Sequence, residues 1–322
     1  MRLIRYYIYT IGNCIARLCD AERLIFAIRR AGIVGFGLIG LLVGFYTSAN
    51  AADKLRVVSL SPSITETIVK LGGAALLVGR SSACDYPVTV KKIPICGDYK
   101  GPMLEKLARL KPDIVVSAMF NDKGVIGNIE RLGIKFYLLP AKNLSDYPLT
   151  VKKLGEILNL KSAANAEMSR FSAKLRAFRI ATKKIPLAAR PTVLLLIYDR
   201  PLMSAGKKSF INELITIAGG RNIAAKIDRS YFNCSMEWVM KQQPQVIVMP
   251  ASSPQKIAET CKRPGWRMLN AVRNQRLYYQ DHNDIIYRLG PRVLEGIAAL
   301  HKYFYPSVTN KAVQVDEASK NP

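Results

Sequence analysis

Residues 105–118 read EKLARLKPDIVVSA, and this stretch decides the fold. Glu105 to Leu110 is helical. Lys111-Pro112 ends the helix, because a proline ring has no N–H to donate and clashes with the preceding turn. Asp113 to Ala118 is then a short apolar run, the signature of a strand covered on both faces. A helix that passes straight into a buried strand is one step of a βα alternation, which builds a mainly parallel sheet.

The same alternation continues on both sides. Upstream, Arg56 to Leu60 (RVVSL) is a β-branched run ending in Ser-Pro, and Leu76 to Gly79 is a second strand. Between them Ser63 and Glu66 read as an S-x-x-E capping box that opens an apolar-periodic helix stopping at Gly72-Gly73. Downstream, a helix near Val125–Leu132 leads to a strand at Lys135–Leu139. From Asp146 to about Lys184 no strand signal occurs, and neither Pro nor Gly lies between Leu158 and Ile185. The expectation there is one long helix. After Pro191 a second alternation begins. Strands are expected at Val193–Tyr198, Gln245–Met249 and Arg276–Gln280, and helices at Phe210–Ala218, Met236–Gln243, Trp266–Val272 and Pro291–Phe304.

The expected fold class is therefore α/β, two lobes with mainly parallel sheets joined by a long interlobe helix. The boundaries are 52–142 for the N-terminal lobe, 143–185 for the interlobe helix, 186–306 for the C-terminal lobe and 307–322 for a polar tail. A helix packed on both lobes resists large rotation, so the cleft between them should close by a small angle, with ligand residues on strand-end loops.

The N-terminus is a separate object. Ala31 to Tyr46 (AGIVGFGLIGLLVGFY) carries no charge; Arg23, Arg29 and Arg30 precede it, and Ala49-Asn50-Ala51 follows it. These are the cationic, apolar and small-residue parts of a secretory signal, 1–51, cut after Ala51. The rival is an uncleaved anchor, but the run is shorter than the ~20 residues that cross a bilayer. No cysteine follows it, which argues against a lipid anchor. Gly35, Gly37 and Gly40 match the dinucleotide fingerprint, but no amphipathic helix follows and Asp53 comes too soon, so nucleotide binding is not expected.

The whole chain carries 48 basic and 23 acidic residues; without residues 1–51 these fall to 42 and 21, a net charge near +21. The bases are scattered and no nucleic-acid motif accompanies them, so nucleic acid is not expected as a partner. Cys84, Cys96, Cys234 and Cys261 remain after cleavage. In an oxidising compartment the pairings 84–96 and 234–261 are the first to test, with free buried thiols as the alternative. Their spacing fits no zinc site, so no metal centre is expected. No nucleophile elbow, zinc-protease pair or phosphate loop occurs in the mature chain, and no catalytic residues or cofactor are assigned. The expectation is a binding protein rather than an enzyme.

The segments RVVSLSPSITETIVKLG, VGRSSACDYP, EKLARLKPDIVVSA, INELITIAGGRNIA, SMEWVMKQQPQVIVM, NAVRNQRLYY and LGPRVLEGIAAL, in that order, resemble the helical-backbone periplasmic binding proteins of cobalamin and ferric-siderophore ABC importers. The resemblance covers about residues 55–305, and Cys84-Asp85-Tyr86-Pro87 is most similar to the cobalamin-binding branch. It implies a monomeric protein in the periplasm that hands a small-molecule ligand to a permease dimer at the inner membrane. It also implies that Glu105 and Glu237, one per lobe, dock on arginines of that dimer. Each is otherwise an ordinary acid in a first helical turn.

Ligand positions carried over by the resemblance are Tyr99 and Tyr231, facing the cleft, and Asp85, Tyr86, Asp284 and Arg288 at its edge. Aromatic faces suit a flat metal chelate such as a corrinoid. The sequence departs from the vitamin-binding pattern at Ala83, Ala118 and Ile285, where bulky aromatics are expected. The alternative cargo is a ferric siderophore or haem, with Tyr278, Tyr279 and His282 near enough to the cleft to reach iron. A membrane-tethered interaction protein is a third possibility.

Overall fold

The structure is a computed structural model that describes residues 54–98, 100–118, 120, 122–250, 253–279 and 284–306. The signal segment, Tyr99, His282 and the 307–322 tail lie outside the described residues. The described residues from Leu55 on form one compact unit containing both lobes.

The first lobe holds strands β1 (Val57–Ser59), β2 (Leu77–Ser81), β3 (Ile95–Gly97), β4 (Ile114–Ser117) and β5 (Lys135–Leu138), with helices α1 (Pro62–Lys70), α2 (Leu104–Leu110) and α3 (Lys123–Arg131) between them. Its sheet runs β3-β2-β1-β4-β5 and is parallel throughout. The apolar runs chosen from the sequence fill its middle, where both faces are covered.

Helices α4 (Asp146–Ile157) and α5 (Lys161–Lys183) follow. The single interlobe helix expected over 143–185 is thus two. Asn159 takes the left-handed conformation at φ 56°, and the Leu160 N–H reaches back to the Gly155 carbonyl at 2.8 Å. That is a Schellman stop with asparagine in place of glycine. The longer helix, α5, has 23 residues.

The second lobe contains β6 (Thr192–Asp199), β7 (Leu202–Ala205), α6 (Phe210–Ile217), β8 (Arg221–Asn222), β9 (Tyr231–Asn233), α7 (Met236–Gln242), β10 (Val246–Val248), α8 (Pro254–Lys262), α9 (Asn270–Arg273), β11 (Leu277–Tyr278), α10 (Asp284–Tyr287) and α11 (Val293–Phe304). Its sheet order is β11-β10-β6-β7-β9, with β8 also on β6. The half containing β10 and β11 is parallel, whereas β7 and β9 add an antiparallel edge absent from the first lobe. The helix expected at Trp266–Val272 is a 3₁₀ turn, Trp266–Met268, followed by α9.

One apolar cluster passes from Val57, Ile64 and Val116 through Tyr147, Val151 and Phe171 of α4–α5 to Val193, Ile215, Val248 and Phe304. The outer faces of the two sheets carry separate clusters, around Val58, Leu107 and Val115 in one lobe and Leu194, Val239 and Ile247 in the other. Tyr147 donates to Glu167 at 2.9 Å, and Arg170 grips the same carboxylate through two nitrogens at 2.6 and 2.7 Å. This joins α4 to α5 at the centre of the molecule.

All four described cysteines are free thiols, in contrast to the pairings expected from spacing. The first lobe's sheet separates Cys84 from Cys96. Cys84 lies 3.1 Å from the Thr65 hydroxyl on the α1 side, whereas Cys96 belongs to the outer cluster with Val58. Cys234 and Cys261 both pack against the second lobe's outer cluster. Burial pushes all four thiols upward, so none is an activated thiolate.

Candidate functional site

The capping-box reading fails in an informative way. Helix α1 begins two residues earlier than the box requires, at Pro62, with Ser61 as N-cap and no side-chain cap. The Ser61 hydroxyl instead accepts the Ala118 N–H at 2.9 Å, tying β1 to the end of β4. Glu66 is left on the inward face, 3% exposed. A carboxylate so placed needs compensating charge, and the second lobe supplies it. Arg292 donates from Nε and Nη2 to the two Glu66 oxygens, each at 2.8 Å. Arg288 adds a contact to the same group at 3.1 Å.

Around this pair the structure gathers four of the expected ligand residues. Arg288 donates to Asp85 at 2.7 Å and to Asp284 at 3.2 Å, and Asp284 also accepts from Arg292. The Arg292 guanidinium lies 3.7 Å from the Tyr86 ring centroid, a cation–π contact. Glu66, Asp85 and Tyr86 come from the first lobe, and Asp284, Arg288 and Arg292 from the second. The lobes are therefore joined by two arginines and three carboxylates, a set with net charge −1.

Local features hold each piece. Arg80, 7% exposed, sends its guanidinium to the carbonyls of Ile93, Ser81, Cys84 and Lys91 at 3.0–3.1 Å. It thereby shapes the loop that carries Asp85 and Tyr86. On the other side α11 crosses close over α10: a Cβ on Gly296 would sit 2.6 Å from the Ile285 carbonyl oxygen, so only glycine fits. Arg170 of α5 donates to the Pro291 carbonyl at 3.4 Å, next to Arg292. Burial pushes the Asp85 carboxyl upward, but the hydrogen bond and charge of Arg288 outweigh it and hold the group below its ordinary value. The same kind of contest raises Arg292: burial opposes its charge, and Glu66 and Asp284 more than restore it.

Tyr231 is not part of this set. It lies on β9 opposite Ala205 and is half-exposed, with burial raising its phenol. Tyr278 is not available for iron: it is 4% exposed and packs edge-on against Tyr303 in the core. Tyr279 is exposed. Glu66, Arg80 and Arg292 were missed from the sequence, since their partners are remote or are backbone carbonyls.

Glu105 and Glu237 are both exposed, and their surroundings repeat. Each is the second residue of a seven-residue helix, α2 or α7. Each helix ends at a left-handed cap, Lys111 (φ 44°) or Gln243 (φ 42°), before Pro112 or Pro244 and then β4 or β10. Asp113 accepts the Arg56 N–H at 2.7 Å, and Gln245 accepts the Thr192 N–H at 2.9 Å. The two lobes thus present their acids on one local framework.

Comparison with known proteins agrees with this architecture. The periplasmic binding protein family model matches residues 57–283. An uncharacterized ABC transporter substrate-binding lipoprotein of Bacillus subtilis strain 168, YvrC, is 29% identical over 256 residues, 78% of this chain and 80% of that protein. A vitamin B12-binding protein of Vibrio vulnificus strain YJ016 is 26% identical over 269 residues, 83% of this chain and 96% of its own. A periplasmic heme-binding protein from Pseudomonas aeruginosa superposes with a TM-score of 0.70 at 29% identity, covering 79% of this chain and 93% of that one. The family and these relatives are solute-binding proteins, not enzymes.

Proposed function

Since the chain belongs to the periplasmic binding protein family, we propose that it is the exported subunit of an ABC importer that carries a corrinoid between its lobes to the permease. The observation that carries this reading is the meeting of Asp85, Tyr86, Asp284 and Arg288 at the seam between lobes. Carboxylates and guanidinium can hydrogen-bond the amide groups around a corrin, and Tyr86 offers it an aromatic face. The similarity to vitamin B12-binding proteins along nearly their full length supports the same cargo. A second reading, haem or a ferric siderophore, is favoured by the likeness to the heme-binding protein of Pseudomonas aeruginosa. The ligand's metal would arrive with the cargo rather than reside in the protein.

Fluorescence titration with cyanocobalamin, cobinamide, haem and ferric siderophores separates the two. Saturation by corrinoids alone supports the first reading, and tight binding of haem or a ferric chelate without corrinoid binding replaces it with the second. In this reading residues 1–51 are removed on export, and an N-terminus other than Ala52 on the periplasmic protein would refute cleavage after Ala51.

Glu105 and Glu237 are the permease contacts in this reading. Charge pairs at two lobe tips set orientation and encounter rate more than affinity. Glu105→Arg combined with Glu237→Arg should abolish uptake and leave ligand affinity unchanged. Uptake that survives both reversals would remove the docking assignment.

A further inference from the structure

The repeat between the lobes extends past the two glutamates. One helical turn beyond each acid stands an exposed base, Arg109 after Glu105 and Lys241 after Glu237. Most of what repeats in these segments has an internal reason. Leu107 and Val239 are buried in the outer clusters. Lys111-Pro112 and Gln243-Pro244 end the helices, and Asp113 and Gln245 tie the next strand to its neighbour. The acid and base stand in the first and last turns, where the helix dipole favours them, but no side-chain partner within the protein holds them. Neither Glu105–Arg109 nor Glu237–Lys241 is among the ion pairs within 4 Å of the described residues, and none of the four side chains makes a hydrogen bond there. The other positions exposed on α2 do not repeat: Lys106 corresponds to Trp238 and Ala108 to Met240, both half-buried against the second lobe's outer cluster, and Met103 before the helix corresponds to Ser235.

We propose that Arg109 and Lys241 are a second docking contact, so that each lobe presents an acid and then a base to one subunit of a two-fold symmetric importer. This rests on the docking reading of Glu105 and Glu237. Residues four apart share one helix face about 6 Å from each other along the axis. The pair is therefore a short charge pattern with a direction. A partner that meets it twice must offer the complementary pattern twice, a cation facing the glutamate and a carboxylate facing the base, as the two subunits of a symmetric dimer do. A rotated or reversed encounter puts like charges together, so the base contributes selectivity that one acid per lobe does not.

The test measures association of the fluorescently labelled full-length mature protein with spheroplasts of the parent bacterium stripped of their own periplasmic proteins. Arg109→Glu and Lys241→Glu should each slow association by a factor on the order of ten, with the effects multiplying in the double variant. Lys106→Glu makes the same charge change on α2 at a position that does not repeat, and should leave association close to wild type. Stability to urea, measured for each variant, separates lost docking from lost folding. Equal effects of Lys106→Glu and Arg109→Glu would reduce the result to net charge and overturn the proposal. Faster association of the reversed variants would also overturn it, because the bases would then face importer cations. If Glu105→Arg with Glu237→Arg also leaves association unchanged, the docking reading itself falls; if that variant fails to associate while the base variants behave as wild type, only the second contact is lost.

Discussion

The two lobes share a framework where the core needs it and diverge in charge where they meet. Helix, left-handed cap, proline and strand recur in α2–β4 and α7–β10 with the same tie to the neighbouring strand. At the seam the first lobe gives Glu66 and Asp85, and the second gives Arg288, Arg292 and Asp284. Identical lobes would bring like charges together there. Retention at the strands and divergence at their ends let one plan serve twice and still bind to itself.

The largest test of this contrast is at Glu66. Glu66→Ala leaves Arg292 with only the Asp284 carboxylate and should lower stability to urea by about 3–5 kcal/mol. Adding Arg292→Ala should restore part of the loss, and a double variant no better than the sum of the two single ones would deny the pairing. Lys111→Gly and Gln243→Gly test the shared framework. Each relieves a side chain held in the left-handed region and should add about 1 kcal/mol. Unequal gains would show that the two caps are alike in shape but not in strain.

The smallest effect belongs to Asp85→Asn. Asp85 is nearly half exposed on its side chain, so its pairing is worth under about 1 kcal/mol. Because its carboxyl titrates below the ordinary aspartate value, its contribution is present above that value and lost as pH falls through the depressed one. Urea midpoints should therefore converge for the wild type and Asp85→Asn in acid and differ near neutrality. Curves that stay parallel down to low pH would mean the Arg288 contact contributes nothing.

What the sequence revealed follows the range of the interactions. The strands at Val57, Ile114, Val193 and Val246 are legible because buried parallel strands are short apolar runs bounded by proline and glycine. The β7 and β9 edge was not, since Tyr231-Phe232-Asn233 is three residues of mixed character. Asn159 stopped a helix without the glycine that usually marks a stop. At the seam, Asp85, Tyr86, Asp284 and Arg288 came from the resemblance, whereas Glu66 looked locally complete as a capping residue. Its true partner is Arg292, 226 positions away, and no local pattern encodes that distance.

The continuous inner cluster has a consequence for how the chain is made. Val57 lies in the first strand and Phe304 in the last helix, and both belong to the same core. A nascent chain holding only the first lobe lacks α4, α5 and α11 and cannot close that core. Completion of that core therefore waits for nearly the whole sequence. The arrival of α11, with Val293, Ile297 and Phe304, is what completes the packing that begins at Val57.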